Sequence, residues 1–147
     1  MSLEDWLRDG RLRPHRANRQ EIVGILHIVD RDMSDAVIQN VSPDRRFATA
    51  YNAILQLATA VIRASGYRVA GQDHHWLTLH VLSEIMPSLE QDQADYFDGC
   101  RRKRNKVDYD SAHVISEREV EEVVQETEAF RLSVVKWLKD KHPTLAP

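Results

Sequence analysis

The sequence predicts an all-α protein folded as an up-and-down bundle of four or five helices. Apolar residues recur at i, i+3, i+4 and i+7 through most of the chain, the period of a helix with one buried stripe. Helix-capping residues stand at the segment boundaries, and no stretch sustains period-two alternation or carries an Asn-Gly or Asp-Gly hairpin turn. Long helices joined by short loops pack antiparallel to their neighbours.

Ser2 is placed to cap a short first helix that Gly10 ends, and "RLRPHRAN" reads as an irregular crossing. From Asn18, Ile22, Ile25, Leu26 and Val29 form one apolar stripe. That helix is expected to run on, bent or broken near Asp30 to Ser34, through Met33, Val37 and Ile38. Ser42 is a natural N-cap, with Pro43 at the first helical position, where its missing N–H costs nothing. Ala48, Tyr51, Ile54, Leu55, Ala58, Val61 and Ile62 mark the inward face that follows. Gly66 can supply the left-handed residue that closes this helix. After the loop "YRVAGQ", Asp73 opens a helix through Trp76, Leu79, His80, Leu82 and Ile85 that stops at Pro87. A basic helix follows from Asp92 to about Tyr109. Ser116 and Glu119 form a capping box for the last helix, which carries Val120, Val123, Val124, Thr127, Phe130, Val134, Trp137 and Leu138 as far as Pro143.

A length of 147 residues suits one domain over 1–147, with 1–17 as a short helix and irregular lead-in. The net charge of −3 excludes a general polycation, so any affinity for phosphate must come from a local patch. A single cysteine, Cys100, excludes an intramolecular disulfide and points to a reducing compartment. The start "MSLEDWLRDG" is acidic and amphipathic, unlike a secretion signal, and no apolar run reaches membrane-spanning length. A cytoplasmic location is therefore expected.

No Gly-rich phosphate loop and no GxSxG occurs, and no cofactor is expected. His74 and His75 are adjacent, so on a helix their side chains diverge by about 100° and do not easily share a metal. His80 and Glu84 are two ligands at i, i+4 where zinc requires three or four. No metal is expected, and His80 reads as a hydrogen-bonded residue on a half-buried face. Cys100, Trp76, Trp137 and Tyr51 read as packing residues, and Asp44, Arg45 and Arg46 as a solvated first turn.

The chemistry concentrates in "CRRKRNKVDYD", where Arg101, Arg102, Lys103, Arg104 and Lys106 put five positive charges into six positions. Asp92, Asp95 and Asp98 precede them, so most of this gradient complements the helix dipole, and Asp98 can reach Arg101 and Arg102 at i+3 and i+4. Arg104 stands apart. It shares the stripe of Phe97, Cys100 and Val107, where an apolar residue is expected, and a guanidinium there must recover its hydrogen bonds.

Arg104-Asn105 near the end of a basic bundle helix, then a Tyr-Asp turn and a long last helix, resembles the HEPN superfamily over about residues 18 to 141. The resemblance implies a small all-α protein, commonly a homodimer. Its signature is an Arg, a polar residue that is often Asn, and a His five to seven positions after the Arg. Active members are metal-independent ribonucleases whose motifs pair across the dimer. Arg104 and Asn105 match. Tyr109, Asp110 and Ser111 occupy the positions of the His, and His113 comes two places too late.

Three readings follow. The first is binding of RNA or a nucleotide through Arg101, Arg102, Arg104, Asn105 and Lys106 without catalysis. The second is a divergent ribonuclease, the toxin of a toxin–antitoxin pair with a nucleotidyltransferase-type antitoxin partner. It would use Arg104, Tyr109, Asp110 or a distant histidine from among His74, His75, His80 and His113. The third is a purely structural dimerisation bundle.

Overall fold

A computed structural model of the protein describes residues 2–71, 74–106 and 115–147 in full and the backbone of 107–109. In chain order it comprises α1 (Leu3–Arg8), β1 (Leu12–Pro14), α2 (Arg19–Ala36), α3 (Pro43–Ala64), β2 (Tyr67–Val69), α4 (His74–Ile85), α5 (Gln91–Tyr109) and α6 (Glu117–Lys141). The all-α bundle is as expected, and its axis is α3. Ala50, Ala53, Ala58 and Ala60 alternate with Ile54, Leu57 and Val61, all without solvent exposure. The small residues let neighbours approach closely while the branched ones fill the space between. α2, α4, α5 and α6 pack around this helix.

The caps stand where the sequence places them. The Ser2, Asn18, Ser42 and Ser116 side chains each accept a backbone N–H of the first turn, and Ser2 and Ser116 complete capping boxes. Gly66 follows the end of α3 at φ +97°, a conformation that glycine adopts without a Cβ penalty.

Two expectations are corrected. The crossing near residue 12 and the loop after Gly66 are not wholly irregular: β1 and β2 form an antiparallel ribbon with Leu12 opposite Val69, Arg13 opposite Arg68 and Pro14 opposite Tyr67. Strands of three residues are too short to display alternation. Long-range burial of Leu12 with Trp6, Ile62, Leu77 and Val81 places them instead. Nor does α2 break near Asp30. It runs unbroken to Ala36, leaving Val37 and Ile38 outside it and exposed. The acidic residues there are ties to other helices. Asp32 is buried and accepts from Asn52 of α3 at 2.7 Å, and Asp30 receives both arms of Arg131 from α6 at 2.7 and 3.0 Å.

The first turn of α3 is corrected too. Arg46 is 3% exposed. Its Nε donates to the Ala36 carbonyl at the end of α2, and its Nη1 donates to Glu117 at the start of α6. Asp44 accepts the backbone N–H of Ile115. This turn is a clasp between three helices rather than a solvated end. No helix among the described residues is long and apolar enough to cross a membrane.

Candidate functional site

The basic run of α5 is largely balanced within the protein. Asp98 accepts Arg101 at 2.9 Å and Arg102 at 3.0 Å, the i+3 and i+4 pairs expected from the spacing. Lys103 meets Glu119 of α6 at 2.8 Å, a contact no local spacing reveals. Asn105 is half-buried and Lys106 exposed. Arg104, also half-buried and itself engaged by its surroundings, shares a helix face with the buried Phe97 and Cys100. Burial pushes the Cys100 thiol up to about 11, so it packs as an un-ionised group. The Tyr109 side chain, Asp110 and His113 lie outside the described residues.

The Glu119 carboxyl is held below its ordinary value, first by the hydrogen bond from Lys103 and then by those from Ser116, against a smaller opposing effect of burial. A depressed carboxyl contributes stability above its unfolded value and loses it as pH falls through the folded one. Thermal melting from pH 6 down to pH 3 should therefore show an acid-sensitive component below about 4.5. Glu119→Gln, which keeps the capping box, should flatten that component; an unchanged profile would remove Glu119 as its source.

The candidate site lies where α3, α4 and α5 meet. Tyr51 projects from α3 at 1% exposure, and its hydroxyl has no hydrogen-bond partner. Burial raises its pKa well above the ordinary phenol value, while the positive charges of Arg101 and Arg104 pull the other way. Its hydroxyl therefore lies within electrostatic reach of α5, where Asp98 and Cys100 act against the two arginines. From α4, the His75 ring meets Tyr51 edge-on, with centroids 5.7 Å apart. His75 is half-buried and has a further interaction of its own.

A phenol O–H thus meets an imidazole from α4 and lies within electrostatic reach of two guanidinium groups on α5. Each can donate a hydrogen bond, and together they suit an oxyanion. A buried donor without an acceptor costs about 1–3 kcal/mol. Tyr51→Phe should accordingly raise stability, by about 1 kcal/mol, read as a higher urea midpoint at unchanged slope. A fall would mean that the hydroxyl is satisfied in solution.

The four histidines raised by the sequence separate. His75 reaches the α5 site. His74, one position earlier, turns to the other side of α4, toward Arg63 and Arg68. The 100° between adjacent helical positions accounts for this split. His80 is exposed, not half-buried as expected, and lies against Trp76 with centroids 4.0 Å apart. His113 is among the residues not described. Among the described residues, no three His, Cys, Asp or Glu side chains are grouped as metal ligands would be.

Tyr51 was legible in the sequence only as a core residue. A large polar-tipped side chain among alanines and aliphatics was the available signal, but its direction depended on α5.

Compared with known proteins, residues 23–136 match the model of the SAV_6107-like HEPN family. Neither a curated protein nor a solved structure matches the chain. The match spans α3, α4 and α5 complete and nearly all of α2 and α6, well over half of the sequence, and includes every residue of the site above. The chain belongs to the HEPN superfamily, within its SAV_6107-like family.

Proposed function

We propose that this HEPN domain binds RNA or a nucleotide by a phosphate seated between α3, α4 and α5. The observation that carries the reading is the buried, unpartnered Tyr51 hydroxyl beside Arg101 and Arg104. Arg104 supplies a planar pair of donors, Tyr51 a directional O–H and His75 a third donor. Arg102, Asn105 and Lys106 flank the site along α5 and add field to a passing backbone, although Asp98 offsets much of the charge of Arg101 and Arg102. The binding unit is a homodimer in this reading, with two such sites.

Labelled single-stranded RNA tests it on a native gel at several salt concentrations. Arg104→Ala should weaken binding about tenfold, or about 1.4 kcal/mol, and lower the salt slope by about one phosphate contact. Equal affinity and slope in the variant would favour the structural, interaction-only bundle.

The position of His75 supports a second reading, cleavage. An imidazole titrates near neutrality and suits acid–base work where the motif His is absent. It would take the proton of a ribose 2′-hydroxyl as that oxygen attacks phosphorus. The P–O5′ bond breaks and the 5′-oxygen gains a proton, with no metal or water consumed. His75→Gln should then abolish cleavage on a denaturing gel while RNA is still retained on the native one. An absence of wild-type cleavage confines the site to binding.

A further inference from the structure

On the opposite side of the first turn of α4, a recess of about 90 Å³ lies between α3, α4 and β2. Its polar lining is Arg63, Arg68, His74, Thr59 and Thr78, backed by the apolar Ile62 and Val69, and no carboxylate lines it among the described residues. The Arg68 side chain makes no hydrogen bond or ion pair among the described residues, whereas Arg63 reaches Glu21 only at 3.8 Å. Glu21 is shared with His15, which it meets at 2.6 Å. Thr59 donates its hydroxyl to the Leu55 carbonyl, so its proton is already used within α3 and the donors left to the recess are Arg63, Arg68, His74 and Thr78.

Two details point to a missing anion. Thr78 lines the recess, and its side-chain hydroxyl makes no hydrogen bond among the described residues. A hydroxyl that opens on the recess with no acceptor inside the protein is free to donate to a ligand there. Arg68 also stands directly opposite Arg13 on the ribbon, and like charges in that relation repel. Arg13 relieves itself only by a long 3.4 Å contact from Nε to the Gly10 carbonyl. A negative group beside Arg68 would reverse that penalty.

We infer that this recess is a second anion site, which takes one phosphate group with Arg63 and Arg68 as charge partners, Thr78 as a hydroxyl donor and His74 at its mouth. It is separate from the Tyr51 site and does not depend on the function proposed for it. The same chemistry is offered by free orthophosphate and by the terminal phosphate of an oligonucleotide. The small volume favours a phosphate that projects alone over one flanked on both sides by sugars.

Titration of the whole protein with orthophosphate at constant ionic strength tests this, followed through the ring resonances of His74. A saturating shift is expected. Arg68→Gln should weaken it at least tenfold without lowering the melting temperature in phosphate-free buffer, because Arg68 holds no other group in place. Arg63→Gln should weaken it in the same direction. A shift that rises linearly without saturation, or one identical in Arg68→Gln, overturns the inference. Competition then identifies the source. A 5′-phosphorylated trinucleotide that displaces orthophosphate better than its 5′-hydroxyl counterpart supports an end-binding site; equal displacement supports a site for the free ion.

Discussion

Phe130→Ala should cost about 3–5 kcal/mol, the range for deletion of a large buried ring. Phe130 is without exposure on α6 and meets Phe97 of α5 with centroids 4.8 Å apart and planes inclined at 51°. Such an offset pair adds about 0.5–1.5 kcal/mol to the area that each ring buries. The loss would consume much of the 5–15 kcal/mol typical of a folded domain. A functional consequence follows, because Phe97 sits two turns before Arg104 on the face that locks α5 to the bundle. With its partner ring gone, the helix bearing Arg101 and Arg104 should lose register against Tyr51, and the RNA binding proposed above should fall even where the domain remains folded. Phe130→Leu should fold well, at a cost of about 1–1.5 kcal/mol, and serves to measure binding without wholesale loss of structure. Urea melts of both variants give the test, and a cost below about 1 kcal/mol for the alanine variant would mean that the α5–α6 seam is loosely packed.

Local rules make the helices legible. The caps at Ser42 and Ser116, the stop at Gly66 and the ion pairs of Asp98 all depend on residues within four positions of one another. The charge gradient of α5 is read correctly as helix electrostatics for the same reason. What the sequence conceals is set by contacts across the fold. Lys103 finds Glu119, 16 positions on, only because α5 and α6 are brought together. The ribbon forms only once Trp6 and Leu12 have a second cluster to join. Tyr51 and His75 are each plain in their own helices. Their meeting, and the electrostatic reach of Arg104 to Tyr51, requires α3, α4 and α5 in place. Adjacent histidines announce that they diverge, but not what either one faces.

Arg46→Ala should cost about 3 kcal/mol, through a void at a buried site and the loss of a donor to a helix-terminal carbonyl. Two contributions are separable here because the partners differ in exposure. The Arg46 side chain is 4% exposed and that of Glu117 58%. Glu117→Ala lets water reach the guanidinium end, and its cost should stay near about 1 kcal/mol. Arg46→Ala instead strips the Ala36 carbonyl at the end of α2 of its donor, where no water replaces it cheaply. Arg46→Met keeps most of the apolar stem and removes only the donors, so its cost should lie between those two. If the methionine variant equals wild type, packing alone accounts for the clasp, as happens where a buried ion pair is replaced by a hydrophobe of similar volume. If it falls near the alanine variant, the hydrogen bonds dominate. The double variant Arg46→Ala, Glu117→Ala then separates the pair from the carbonyl. Additive costs assign the stability to Ala36, whereas a coupling of 1 kcal/mol or more, within the roughly 0.5–3 kcal/mol range seen for contacting residues, assigns it to the ion pair. Either result concerns the same junction, the one that fixes the ends of α2 and α6 on α3 and so sets the frame in which Tyr51 meets α5.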